Sequence, residues 1–205
     1  MAKIKLTKGE LKRQRDSLRQ YERYLPTLQL KKQQLQLEIL QQSNLATEKR
    51  NALEKKKEAV LSWAGLLAEP GVNIREWITL SNIVAGEKNV AGVDLPVFER
   101  VDFLHADYDL FTTPMWVDFA VEALRNIVTL KEEIGVIEKG INILKIELRI
   151  TTQRVNLFEK IKIPEAQEAI RLIKIYIGDQ MANAVGRSKV AKRKIEQAEH
   201  LEVYA

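Results

Sequence analysis

Two long stretches of this chain repeat apolar residues at alternating spacings of three and four, and that period limits what the chain can fold into. In the first stretch Leu11, Leu18, Leu25, Lys32, Ile39, Ala46, Leu53 and Val60 take one heptad position. Gln14, Tyr21, Leu28, Leu35, Gln42, Lys49, Lys56 and Trp63 take the other, and eleven of the sixteen are apolar. In the second, Ala120, Ile127, Ile134, Ile141, Leu148, Val155 and Lys162 alternate with Trp116, Ala123, Leu130, Ile137, Leu144, Thr151 and Phe158, twelve of fourteen being apolar. Only this period keeps one stripe against a neighbouring helix over so many turns, so each stretch reads as an arm of a coiled coil. Beyond Pro164 the spacing resumes at Ala166, Ile170, Ile173, Ile177, Met181, Ala184, Ser188, Ala191 and Ile195. It slips by four residues between Ile177 and Met181, where the supercoil should change locally.

Punctuation and charge cut the chain at the same places. Between Glu10 and Ala64 there is no Gly and one Pro, Pro26, and after Met115 the only Pro is Pro164. Gly65, Pro70, Gly71, Gly86, Gly92, Pro96 and Pro114 crowd the middle, where turns are expected. Residues 1–63 carry 15 basic and 7 acidic groups, residues 64–115 carry 3 and 8, and residues 116–205 carry 15 and 13. The predicted division is a coiled-coil arm over 1–66, a middle knob over 67–115 and a second arm over 116–205, kinked near Pro164. The fold class is mainly α: an antiparallel two-helix coiled coil of roughly 80 and 125 Å arms at 1.5 Å per residue, the longer one overhanging or bent. Pro26 and Pro164 each remove an amide donor and should kink their helices without ending them. In the knob, Asn73 to Val84 is predicted as a short helix capped by Asn73. Glu87 to Val93 and Leu95 to Leu104 are predicted as two strands around Gly92, Asp94 and Pro96.

Composition excludes several classes. The absence of Cys rules out a disulfide scaffold, a thiol nucleophile and thiolate zinc sites, and fits a reducing compartment. No run approaches the roughly 18 apolar residues of a membrane span, and Met1 to Glu10 lacks the apolar core of a signal peptide. The expectation is a soluble, intracellular protein. Gly135 and Gly140 have the internal spacing of a phosphate loop, but Ile141 and Asn142 stand where Lys and Ser/Thr are needed. No HExxH or G-x-S-x-G is present. His105, Asp107 and Asp109 would share one face of an extended segment and could ligate a metal, but a polar loop leading into Pro114 is the favoured reading. No catalytic, cofactor or metal site is expected.

Two features suggest partners instead. Arg187, Lys189, Lys192, Arg193 and Lys194 place five cations in eight residues, and Lys3 to Arg23 adds eight more basic groups, which antiparallel folding brings toward the same end. A solvated helix end, an acidic protein surface and nucleic acid all remain open, although the only aromatic in either run, Tyr21, belongs to the heptad seam. Second, Val136, Ile143, Ile150 and Leu157 recur every seven residues outside the seam with Ile146 beside them, and Leu30 and Leu37 do so on the first arm. A two-stranded coil buries one stripe per helix, so either the knob folds back over this face or a partner covers it.

Arg154-Val155-Asn156-Leu157-Phe158-Glu159-Lys160, then Ile163-Pro164 and the run from Val185 to Lys194, resemble the C-terminal helix of the D subunit of the vacuolar/archaeal-type rotary ATPases. Leu6-Thr7-Lys8, Tyr24-Leu25-Pro26-Thr27-Leu28 with Lys31-Lys32, Val90-Ala91-Gly92-Val93 with Pro96, and Thr113-Pro114-Met115-Trp116-Val117-Asp118 are similar to its bacterial branch. The resemblance covers nearly the whole chain in order. It implies a non-catalytic rotor shaft in the central stalk that penetrates a ring of catalytic and regulatory nucleotide-binding subunits. The shaft would bind a small stalk protein, the F subunit, and sit on the funnel-shaped subunit that caps the membrane ring, coupling ATP hydrolysis or synthesis to proton or sodium transport. It further implies a cytoplasmic location peripheral to the membrane, with neither nucleic acid nor membrane insertion. The residues taken for partner contact are Val136, Ile143, Ile146 and Ile150 for the small subunit, and Arg187, Lys189, Lys192, Arg193 and Lys194 for the ring. A non-rotary coiled-coil scaffold and a basic helical nucleic-acid-binding protein are the alternatives.

Overall fold

The computed structural model describes residues 5–69, 74–105 and 113–203, of which 198–203 are described by backbone alone. Helix α1 spans Lys8–Leu61, and a 3-10 turn follows at Ala64–Ala68. A one-turn helix α2 (Ile74–Trp77) precedes strands β1 (Leu80–Val90) and β2 (Val93–Phe103). Helix α3 (Trp116–Leu157), a π turn (Phe158–Lys162) and helix α4 (Ile163–Val203) complete the order. The protein is thus a mainly α coiled coil with a small α/β knob, as the heptads and the clustered turns predict. Thr7 starts α1: its hydroxyl accepts the Glu10 amide at 3.2 Å, satisfying one of the free donors of the first turn.

The chain forms two compact units, one from described residues of Met1–Gln29 and Gln153–Ala205, the other from those of Leu30–Thr152. In the second unit α1 and α3 run antiparallel. Lys31 pairs with Glu147 at 2.8 Å and Lys49 with Glu133 at 2.9 Å, so partners fall along α3 as numbers rise along α1, and Arg50 pairs with Glu138. These half-exposed pairs fix direction more than they stabilise, at about 1 kcal/mol or less each. The seam supplies the stability: Leu35 and Leu144 are both fully buried in one cluster, and Ala46, Ile137 and Ile141 form another. Every one of these five is a predicted heptad residue.

The β-hairpin lies against that seam. Leu95 is buried with Leu35 and Leu144, and Val90, Ala91 and Val93 pack beside Ile39 and Leu148. Ala91 (φ 51) and Gly92 (φ 76) form the two-residue turn, both left-handed, a combination that matches the natural twist of the strands. The Asn89 side chain holds the turn by accepting the Gly92 amide at 3.1 Å and donating to Asp94 at 2.6 Å. Pro96 sits opposite Glu87; in a two-stranded sheet each strand is an edge, where a missing amide is tolerated.

The knob departs from the sequence reading at its start. The predicted helix from Asn73 to Val84 shrinks to Ile74–Trp77, with Asn73 outside the described residues, and β1 begins at Leu80 instead of Glu87. The β-branched Ile83 and Val84 gain ladder partners at Val101 and Arg100, which a short isolated helix cannot offer. Thr79 ends the turn by donating its hydroxyl to the Arg75 carbonyl at 2.8 Å. Ile74, Val117, Ala120 and Val121 make a third buried cluster, flanked by Trp63, Leu67, Trp77, Ile78, Trp116 and Leu124.

In the unit formed by the two ends of the chain, Tyr21 stacks on Phe158 with ring centroids 5.4 Å apart, joining α1 to the π turn. Val155, Ala166, Ala169, Ile170 and Ile173 are buried there, and Leu11, Gln14, Leu18, Tyr21, Leu25 and Leu28 are half-buried. Pro26 is accommodated inside α1. At Pro164 the helical ladder widens instead: Ile163 donates its amide to the Phe158 carbonyl, five residues back. In a regular α-helix the proline ring would strike the carbonyl four residues before it, and one wide turn relieves that clash.

Candidate partner-binding surfaces

The side stripe of α3 is partly taken by the protein itself. Val136 is 6% exposed, so it is not available to a partner as the sequence reading expected. It lies one residue from Ile137 and four before Gly140, which line a groove closed on its other side by Leu95, Pro96, Val97 and Phe98 of the hairpin. Farther along, Ile143 is 38%, Ile146 63% and Leu157 41% exposed, with Ile150 half-buried between them. On α1, Leu30 and Leu37 are 57% and 60% exposed. The hairpin therefore does fold back onto the helix pair, packing with Leu35, Ile39, Leu144 and Leu148, while Ile143 and Ile146 stay exposed.

The basic run lies on a helical segment that the described residues leave uncovered. Every described residue of α4 from Gly178 to Gln197 is exposed, and the predicted seam continues there through Met181, Ala184, Ser188, Ala191 and Ile195 without burial. Arg187, Lys189, Lys192, Arg193 and Lys194 are all in this segment. Lys192 reaches Glu196 at 3.6 Å, a loose pair one turn on. Earlier in α4, Glu168 and Arg171 are paired at 2.7 Å, and that hydrogen bond holds the Glu168 carboxyl below its ordinary range and the Arg171 guanidinium above its own.

The other motifs make no site among the described residues. Gly135 and Gly140 both lie inside α3, where consecutive amides are tied into the helix and cannot wrap a phosphate. His105 is described, but Asp107 and Asp109 lie outside the described residues. Among the described residues no group of His, Asp or Glu is arranged to hold a metal. No described helix is long and apolar enough to cross a membrane.

Arg125 is a structural residue that the sequence reading missed. Its guanidinium donates to the Trp77 carbonyl at 3.0 and 2.7 Å and to the Leu104 carbonyl at 3.0 Å, and lies 5.1 Å from the Phe103 ring. One side chain thus ties the end of α2 and the end of β2 to α3. Its signal in the sequence is faint: one cation in the mainly apolar run from Ala123 to Leu130.

A helical hairpin with an inserted β-hairpin, an exposed basic segment in α4 and no described nucleotide or metal site defines a coiled-coil protein built for contacts with other chains. Residues 10–193 match the family described as the D subunit of ATP synthase, and the chain belongs to that family. It is 44% identical over 192 residues to the V-type ATP synthase D subunit of Borreliella burgdorferi, covering 94% of this chain and 95% of that one. The protein of the same name from Chlamydia abortus is 36% identical over 199 residues, covering 96% and 95%. That from Chlamydia trachomatis is 32% identical over 198 residues, covering 96% and 98%.

Proposed function

We propose that this chain is the non-catalytic central shaft of a V/A-type ATP synthase, turning inside a ring of catalytic and regulatory nucleotide-binding subunits. In this reading it couples ATP hydrolysis or synthesis to proton or sodium transport through the membrane ring. The observation that carries the reading is the α4 segment from Gly178 to Gln197: some twenty helical residues with apolar Met181, Val185, Val190 and Ile195 left 53–59% exposed beside five cations. A lone helix of that composition is marginal in water and needs a surrounding partner. The cations spread around the helix, at roughly 0°, 200°, 140°, 240° and 340° for Arg187, Lys189, Lys192, Arg193 and Lys194 at about 100° per residue. Such a collar meets an acidic lining at most rotational angles and centres the shaft without locking it.

The chain divides for this task into a first arm (1–66), a knob (67–115) and a second arm (116–205). Ile143, Ile146 and Ile150 receive the small F subunit of the stalk, and the knob end sits on the funnel-shaped subunit capping the membrane ring. The protein is placed on the cytoplasmic side, held at the membrane through the complex. The test is assembly of the full chain with the purified soluble subunits. One copy should enter each ring together with one small subunit. A chain that instead forms homo-oligomers and leaves the ring unoccupied would indicate a scaffold.

A further inference from the structure

We propose that a basic stripe along the first five turns of α1 is a docking surface for an acidic protein face. Lys8, Lys12, Arg15, Arg19 and Arg23 follow one another at spacings of four, three, four and four. At about 100° per residue all five fall within roughly 80° of the helix circumference, over about 22 Å of its length. All are exposed, and none has an ion pair or side-chain hydrogen bond with a described residue. Farther along the same helix four of the seven basic side chains are engaged, Lys31 with Glu147, Lys49 with Glu133, Arg50 with Glu138 and Lys57 with Glu54, and Lys32, Lys55 and Lys56 are the other three.

The stripe works against the helix that carries it. Lys8 stands in the first turn, where the macrodipole disfavours a cation, so the dipole cannot account for the charge as it can at a C-terminus. Each neighbouring pair along the stripe is a like-charge pair at three or four residues, which weakens a helix. A face that served solubility alone would mix the two signs. This one concentrates a single sign on a face centred about 100° around α1 from the half-buried Leu11, Leu18 and Leu25.

The charge selects the partner. Asp16 and Glu22, both exposed, border the stripe at its two edges, roughly 20° beyond the outermost cations at about 100° per residue. A phosphate backbone lying along the stripe would meet those carboxylates. No base-stacking platform is present either: Tyr21 is stacked on Phe158, and Tyr24 stands about 140° around the helix from the centre of the stripe. A protein face with an acidic centre and basic or neutral margins fits the pattern. The docking surface stands by itself; only its consequence rests on the rotor reading. A one-sided stripe meets a given acidic face at one angular position of the shaft in each turn, unlike the collar on α4.

The experiment uses the complex assembled from the full chain and the other soluble subunits. A carbodiimide, which joins an amine to a carboxylate in direct contact, should couple Lys8 or Lys12 to Asp or Glu of another chain. The triple variant Lys12→Gln, Arg15→Gln, Arg19→Gln should weaken assembly about tenfold at low ionic strength and flatten its salt dependence. Lys55→Gln, Lys56→Gln, Lys174→Gln, which removes the same charge from exposed positions off the stripe, should leave assembly within about twofold of the parent. Normal assembly of the stripe variant, an equal effect from the control, or stripe-dependent retention on duplex DNA instead of on the complex would each overturn the proposal. Missing cross-links in a complex whose shaft still turns with ATP would refute the stripe alone. Cross-links in a complex whose shaft stays still would refute the rotor reading alone.

Discussion

Leu144→Ala tests the account of the second unit most sharply, because Leu144 belongs to the seam and to the floor of the hairpin at once. Its side chain is fully buried in a cluster with Leu35 and Leu95. Truncation removes three carbons from that cluster, about 0.8 kcal/mol each by transfer, or about 2.4 kcal/mol together. The neighbours come from three elements and cannot all close in, so a cavity term is added and the expected loss is about 3–4 kcal/mol. Ile146, two residues on and 63% exposed, supplies the control: Ile146→Ala should change stability by about 0.5 kcal/mol or less. Urea titration followed at 222 nm should show the Leu144→Ala midpoint falling by about 1.2 M for a slope near 3 kcal/mol/M. A double-mutant cycle with Leu95→Ala should give a coupling of about 1 kcal/mol, reporting the hairpin's contact with the helices. A loss below about 1 kcal/mol for Leu144→Ala, or no coupling to Leu95, would refute the packing of the hairpin on the seam.

Three further outcomes follow from named contacts. Arg125→Met keeps the stem but removes the three donated hydrogen bonds, and should free the ends of α2 and β2, raising amide exchange at Leu104 about tenfold while leaving exchange at Leu144 unchanged. Ile143→Ser with Ile150→Ser should weaken the complex with the small stalk subunit about tenfold or more, with far-UV helicity of the free chain nearly unchanged, as titration calorimetry can show. Neutralising Arg187, Lys189, Lys192 and Arg193 together should loosen assembly with the ring and reduce its salt dependence while sparing the small subunit, measured by sedimentation at two ionic strengths; an unchanged salt dependence would return the collar to a solvated helix end.

The long helices were legible because nothing competes with their pattern. Leu35, Ala46, Ile137, Ile141 and Leu144 are predicted seam residues and are buried, and of the sixteen heptad residues on the first arm only Lys56 is exposed. The knob was less legible because its short segments have no period long enough to choose between helix and strand. Ile83 and Val84 are decided by pairing with Val101 and Arg100, well beyond the reach of a helical turn, a nonlocal gain that local propensity cannot register. Val136 shows a related limit of local pattern. Its heptad position puts it off the predicted seam, but burial depends on the rest of the fold, and the folded chain leaves it only 6% exposed. The collar was visible as composition, whereas the stripe on α1 emerged only when exposure and the absence of described partners were added to the spacing.

The central claim is that this chain turns, and the direct measurement is rotation. The natural chain has no Cys, so a single Cys at Met115, which is 92% exposed, gives one attachment point for a bead on a complex whose ring is fixed to a surface. On addition of ATP the bead should rotate continuously in one direction and stop when nucleotide is withdrawn. A bead that stays at one angle while the same complexes hydrolyse ATP would contradict the shaft.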